Sequence, residues 1–196
     1  MNLGCVVLAA GRSSRFGENK LLKPLKGRAV LARVLDSLPR ERFERIAVVA
    51  ASEGVEQMCR ERQLQCLRYS GGTQSESIRL GIRAMTGLEG CLFVMGDQPL
   101  CARASMERMV EDFMAHPRAV VRLAWGKTPC SPVLFPQCCF SALEKLTGER
   151  GGMSALKGLE PEIRLVQAED EAELWDVDTK EDLSRIECWL DRYRQK

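Results

Sequence analysis

Leu3-Gly4-Cys5-Val6-Val7-Leu8-Ala9-Ala10 is an apolar run that stops at Gly11-Arg12. It is too short to span a membrane, which takes about 20 residues as a helix. No basic stretch precedes it, as one would in a signal peptide. A short run without alternation, closed by glycine, reads as a strand buried on both faces. Similar runs recur at residues 46–51, 64–69, 91–95, 120–125, 133–135 and 163–166. Between them, amphipathic stretches predict helices over 30–38, 54–62, 75–85, 104–115, 140–146, 153–158 and 180–194. This alternation predicts βαβ units, hence an α/β fold with a mostly parallel central sheet. Residues 125–136 carry Gly126, Pro129, Pro132 and Pro136 and read as a turn-rich insertion. No repeat or long linker interrupts the pattern, so the 196 residues are expected to form one domain.

Lysine and arginine number 29 against 27 acidic residues, a net charge of +2. That near balance lacks the basic excess of a nucleic-acid-binding protein, and neither nucleic acid nor membrane is expected as a partner. It leaves room for a small anionic ligand held by a few local cations. The nine cysteines contain no C-x-x-C pair and are expected to be small buried hydrophobes in a reducing, cytoplasmic setting. His116 is the single histidine. It precedes Pro117 at a helix end, where a cation suits the dipole, and reads as structural. Trp125, Trp175 and Trp189 read as packing residues.

In an open α/β sheet, ligands bind beyond the carboxyl ends of the strands. Two such ends stand out. After the first run, Ala9, Ala10 and Gly11 lead into Arg12-Ser13-Ser14-Arg15-Phe16-Gly17-Glu18-Asn19-Lys20. Gly11 and Gly17 permit close backbone approach, and successive N–H groups can form an anion nest. Arg12, Arg15 and Lys20 add positive charge, Ser13 and Ser14 add donors, and Lys20 is expected to be half exposed. The spacing is neither a Walker A loop nor a G-x-G-x-x-G fingerprint. An ordinary glycine-rich turn with exposed basic residues is the alternative. After residues 91–95 comes Gly96-Asp97-Gln98-Pro99. A carboxylate at that mouth is placed to hold Mg²⁺, which takes one or two carboxylates together with phosphate oxygens. Capping the following turn is its other reading.

The first loop, L-A-A-G-R-S-S-R-F-G-x-x-K-L-L, closely resembles the signature of the molybdenum cofactor nucleotidyltransferases, a family with guanylyl and cytidylyl branches. The match falls on Gly11, Arg15, Gly17 and Lys20, and the Ala-Ala-Gly form resembles the cytidylyl branch. Gly96-Asp97-Gln98-Pro99 resembles the family's metal motif. Asp176-Val177-Asp178-Thr179-Lys180-Glu181-Asp182-Leu183 resembles its D-I-D-T-P-E-D-L. Asp176 and Asp178 share one side of an extended segment. Either could be the second metal carboxylate, Asp178 by preference, while Asp178 or Thr179 could instead cap the last helix. The stretch from Gly71 and Gly72 through Ser75 and Ser77 to Gly81 resembles G-x-x-x-S-x-S-x-x-x-G at a helix start. Gly72, Ser75 and Ser77 would there meet the nucleotide, and Ser75 could also be the N-cap. Ser131-Pro132-Val133-Leu134-Phe135 resembles an acceptor-side strand. Gly148-Glu149-Arg150-Gly151-Gly152-Met153 resembles G-D-x-G-A-R, with Glu149 and Met153 departing from it.

The resemblance implies a Rossmann-like three-layer nucleotidyltransferase fold of the GT-A kind. It implies nucleotidyl transfer, with CTP and a molybdopterin-type phosphate as substrates and pyrophosphate released. Arg15 and Lys20 would hold the phosphates. Asp97 and Asp178 would hold Mg²⁺, and the backbone of Ala9, Ala10 and Gly11 would contact the base. A molybdenum hydroxylase is an implied recipient. Another phosphate acceptor, such as a sugar phosphate, and a non-catalytic carrier of the finished cofactor are the competing expectations.

Overall fold

The first apolar run becomes the inner strand from which the sheet spreads both ways. The computed structural model describes residues 1–11, 16, 19–69 and 72–193. After β1 (Leu3–Ala9) come a hairpin of β2 (Pro24–Leu25) and β3 (Arg28–Ala29), then α1 (Val30–Ser37), β4 (Arg45–Ala50), α2 (Glu53–Glu61), β5 (Gln65–Arg68) and α3 (Gln74–Arg83). β6 (Gly90–Met95), α4 (Arg103–Ala115), β7 (Val120–Trp125), β8 (Thr128–Pro136), α5 (Phe140–Leu143), β9 (Ile163–Gln167) and α6 (Lys180–Tyr193) complete the order. The seven-stranded sheet runs β5-β4-β1-β6-β8-β7-β9. β8 runs against β6 and β7, and the other pairings are parallel.

Side-chain alternation along β1 divides the core in two. Leu3, Cys5, Val7 and Ala9 face α1, α2 and α4 through Leu35, Val55 and Phe113. Val6 faces α3 and α5 through Ile82 and Leu143. The strand is buried on both faces because each face has its own helical layer, which gives the expected three-layer α/β arrangement. α6 closes a smaller cluster in which Phe16, Leu25, Val30, Val177 and Ile186 meet. At the tip of the β2–β3 hairpin, Lys26 and Gly27 both have positive φ, 51° and 79°. That is the pairing a two-residue turn needs to match strand twist. At the far edge, the guanidinium of Arg164 donates through Nε and Nη2 to both oxygens of Asp112, at 2.7 and 2.9 Å, tying β9 to α4. No helix among the described residues is long and apolar enough to cross a membrane.

Several expectations change. Residues 125–136 are not an insertion: β8 occupies most of them. Pro129 and Pro136 lie toward its ends. Pro132 lies where the register with β7 shifts between Arg122 and Ala124, so no continuous ladder needs its missing N–H. Residues 153–158 form a 3-10 turn, Gly152–Leu156, and not an α-helix. Glycines flank so short a segment, leaving too little chain to propagate. Trp125 is 43% exposed beside the β7–β8 turn and packs little. Cys138 and Cys188 are exposed, whereas Cys5, Cys59, Cys91, Cys101 and Cys139 are buried as expected. His116 stands at the C-cap of α4, its Nδ1 3.0 Å from the Asp112 carbonyl.

α3 lies directly on β1, and Gly81 makes that approach possible. A Cβ there would sit 2.6 Å from Cγ1 of fully buried Val6. Helix propensity alone would make Gly81→Ala stabilising by about 1 kcal/mol. Overpacking against an immobile neighbour costs roughly 1–3 kcal/mol. The expected outcome is a net loss of stability in urea unfolding, recovered when Val6→Ala is added. A raised midpoint for the single variant would show that α3 can lift from the sheet.

Candidate active site

The chain leaves β1 toward β4 on one side and later returns to add β6 on the other. The carboxyl ends of β1 and β6 therefore flank a topological switch point, where a crevice opens. Gly96 lets β6 end against β1. Its N–H donates to the Leu8 carbonyl at 3.0 Å, and a Cβ would lie 3.0 Å from that same oxygen. Asp97 follows immediately. Its backbone carbonyl accepts from the Val177 N–H at 2.9 Å, which docks the segment before α6 onto this mouth. Val177 is buried in the α6 cluster, so alternation turns Asp176 and Asp178 the other way.

Lys20 lies among these carboxylates. Its Nζ donates to Asp97 Oδ2 and to Asp178 Oδ1, each at 2.7 Å. The Lys20 side chain is 11% exposed, against 16% for Asp97 and 50% for Asp178. The half-exposed lysine expected from sequence is thus a buried one. The 3-10 turn Lys20–Leu22 fixes it: Leu21 enters the core, and Asn19 Oδ1 accepts from the Leu21 N–H at 3.1 Å. Asn19 Nδ2 in turn donates to Ser52 Oγ, at the N-cap of α2. Burial works against the Lys20 charge, but Asp97 and Asp178 outweigh it and hold the ammonium above its usual range. Asp176 keeps an exposed flank. Burial of its carboxyl, then the charges of Asp97 and Asp178, push it up to about 6.

Asp97 Oδ1 is buried and has no hydrogen-bond partner. An orphaned carboxylate oxygen beside a second carboxylate suits a divalent cation, because unpaired buried acceptors are costly. Among the described residues no group of three or more His, Cys, Asp or Glu is arranged to hold a metal. The two aspartates would thus be a partial set, to be completed by phosphate oxygens and water. Thr179 is the residue that caps α6. It exchanges hydrogen bonds with Asp182 in a capping box, at 2.9 Å from the Thr179 N–H and 3.1 Å from the Asp182 N–H. Asp178 is left for Lys20. Of the two candidate caps, Thr179 and not Asp178 caps α6.

A cavity of about 270 Å³ opens beside the triad, and Ala10, Gly11, Lys20, Gly72, Ser77 and Asp97 line it. The N-terminus of α3 points here. Thr73 is its N-cap, not Ser75, and Glu76 Oε2 accepts from the Thr73 N–H at 3.0 Å. Ser75 is fully buried, its Oγ 2.9 Å from Thr73 Oγ1, and it supports the turn without reaching the cavity. Ala9 is buried in the core. Glu149 Oε2 accepts from the Gln74 N–H at 3.2 Å. An acidic side chain reaches a helix start from 75 residues away, where free N–H groups and the dipole favour an anion. Glu149, Thr73 and Gln74 were missed as lining residues. The first α3 N–H groups needing partners were the available signal. Arg12, Ser13, Ser14, Arg15 and Gly17 lie outside the described residues.

A second cavity, also about 270 Å³, shares Leu8, Gln74 and Met95 with the first. Phe93, Arg122, Ser131, Val133, Phe135 and Met153 are among its walls. The site is therefore one cleft with two chambers, and Lys20 and Asp97 line the first, with Asp178 bound to Lys20 at its edge.

Three relatives frame this geometry. A purine catabolism protein of Bacillus subtilis, PucB, is 28% identical over 199 residues, covering 92% of this chain and 94% of that one. A probable molybdenum cofactor guanylyltransferase of Pyrococcus horikoshii is 29% identical over 115 residues, 58% of this chain and 57% of that one. A solved nucleotidyl transferase from Methanothermobacter thermautotroptrophicus superposes with a TM-score of 0.82 at 24% identity, covering 98% of this chain and 99% of that one. The MobA-like NTP transferase domain matches residues 5–166, so most of the chain, including the loops after β1 and β6, belongs to that family, and the protein is a nucleotidyltransferase.

Proposed function

We propose that the protein transfers CMP from CTP to a molybdopterin-type phosphate with release of pyrophosphate. The observation that carries this reading is the single cleft, with Lys20 and Asp97 lining one of its two chambers and Asp178 joined to them through Lys20. The first chamber, with Ala10, Gly11, Gly72 and Ser77, is assigned to the nucleotide. The second is assigned to the acceptor. An acceptor phosphate oxygen attacks the α-phosphorus in line and pyrophosphate leaves. That nucleophile is already ionised, so no side-chain base is required. The protein's task is to position two anions and neutralise their charge. Lys20 supplies fixed positive charge for the β- and γ-phosphates, joined in this reading by Arg15. Arg12, Ser13, Ser14 and Gly17 complete the loop's donors, and Ser75 supports the start of α3 from behind. Asp97 and Asp178 would hold Mg²⁺, which when bound adds neutralising charge across the phosphates. A molybdenum hydroxylase is the recipient such a product implies.

GTP is the second nucleotide to consider, because the Pyrococcus relative is named for guanylyl transfer. A panel of NTPs tests the function, with pyrophosphate release followed with and without molybdopterin. Release with CTP that requires molybdopterin is expected. Release with CTP and a sugar phosphate, but not with molybdopterin, would reassign the acceptor, and no release with any NTP would overturn the reading.

Asp97→Asn is expected to abolish turnover in a folded protein, since loss of a metal-type carboxylate removes several kcal/mol of charge stabilisation. Unchanged pyrophosphate release would remove Asp97 from the chemistry. Lys20→Ala is expected to act on stability as well as on rate. Exposed lysines change stability by less than about 0.5 kcal/mol. Lys20 is buried, and its loss leaves Asp97 and Asp178 without their shared cation. Removing one partner of a buried pair costs roughly 3–5 kcal/mol, and the half-exposed Asp178 places the expected loss below that range, at about 2 kcal/mol. Denaturant midpoints at pH 7 check this, and a loss under 0.5 kcal/mol would mean that the pairing is idle.

CTP is expected to be preferred over GTP. Ala10 is 7% exposed and lines the first chamber, so its methyl takes room at the end of β1. A pyrimidine tolerates that better than a purine. A methyl-sized difference discriminates by about 1–3 kcal/mol, which is a preference and not exclusion. Ala10→Gly should move the ratio of specificity constants partway toward GTP. Equal use of both nucleotides by the wild type would defeat the claim.

A further inference from the structure

Arg122 is the one charged side chain among the described residues lining the second chamber. It stands on β7 opposite Val133 of β8, and Val133 stands opposite Phe93 of β6. The register thus sets Phe93, Val133 and Arg122 in a row across three strands. On the same wall Phe135 meets Phe93 edge-on, ring centroids 5.8 Å apart. The register shift in the β7–β8 pair begins at Arg122, the kind of irregularity that re-aims a side chain. No carboxylate pairs with this guanidinium among the described residues. Its Nη2 donates to the Pro129 carbonyl at 3.2 Å, and its buried Nε has no partner. Burial holds its pKa below the usual arginine range. A half-buried cation without a counter-anion costs desolvation energy that the fold does not recover. Such a cost is retained where a ligand supplies the missing charge.

We propose that Arg122 anchors an anionic, phosphate-type group of the acceptor, with the Phe93, Phe135 and Met153 side chains taking the flat apolar body that carries it. Met153, in the 3-10 turn Gly152–Leu156, brings no charge to this chamber, and Arg122 on β7 provides it. The inference rests on the reading of the cleft as nucleotide plus acceptor, and it names the acceptor's chemistry: an anion joined to a planar ring.

The test is titration of phenyl phosphate into the wild type, Arg122→Met and Arg122→Lys, followed by calorimetry, with benzyl alcohol as the neutral control and CTP as the control for the first chamber. Expected are measurable phenyl phosphate binding by the wild type, at least tenfold weaker binding by Arg122→Met, and intermediate binding by Arg122→Lys. Benzyl alcohol should bind all three alike, and CTP affinity should stay within twofold. Arg122→Met should melt at or above the wild-type temperature, since it removes a half-buried charge that has no counter-anion. Equal phenyl phosphate affinity in wild type and Arg122→Met overturns the inference, as does absence of binding to the wild type. Arg122-dependent phenyl phosphate binding without any CTP binding supports the anchor while removing the nucleotide reading.

Discussion

One ammonium holds the mouth of the cleft together. Lys20 reaches Asp97 and Asp178 across 77 and 158 positions of sequence, joining the loop after β1, the loop after β6 and the approach to α6. Without a cation between them, Asp97, Asp176 and Asp178 would repel one another in a partly desolvated space; burial first, and then Asp97 and Asp178, raise the Asp176 carboxyl. The backbone bond from the Val177 N–H to the Asp97 carbonyl keeps the segments in register. It does not relieve the charge. Lys20 takes only one oxygen of Asp97 and leaves the buried Oδ1 open, so the same carboxylate has room for a second positive partner beside the lysine.

The sheet makes this convergence possible. β1 and β6 are neighbours with chain leaving on opposite sides of β1, so their ends form a crevice that no crossover covers. Gly96 allows the second strand end to approach the first, and Gly81 allows α3 to lie on β1 and bring its N-terminus to the crevice. Small residues at these two contacts set where the charged groups stand.

Much of this frame is legible in the sequence because its causes are local. Unbroken apolar runs predict strands with helices on both faces, and β1, β4 and β6 have them. A glycine and a carboxylate after a buried strand predict a polar mouth, and Asp97 lies in one. The burial of Lys20 was not legible, because its partners are distant in sequence. Nor was the cap of α3. Ser is a stronger N-cap type than Thr, so Ser75 is the natural expectation, and only the helix start chooses Thr73. In residues 125–136, proline and glycine pointed to turns. The bulge in the β7–β8 pair accommodates Pro132, so the strand survives. Glu149 at the start of α3 is a tertiary contact that no local pattern announces.

The two chambers differ in what fixes them. The first is built largely from backbone: a strand end with glycine, a helix N-terminus, a turn that places one lysine. Changing it disturbs the sheet's central crossing. The second is walled by side chains on β6, β7 and β8, such as Phe93, Arg122 and Phe135, whose backbones are already satisfied by their ladders. Arg122 can be exchanged without moving a strand, whereas Phe93 and Phe135 also belong to the core. In the proposed reading the acceptor's identity is carried by that second wall, and Arg122, whose buried Nε has no partner, is the residue there whose position the packing of the fold does not explain.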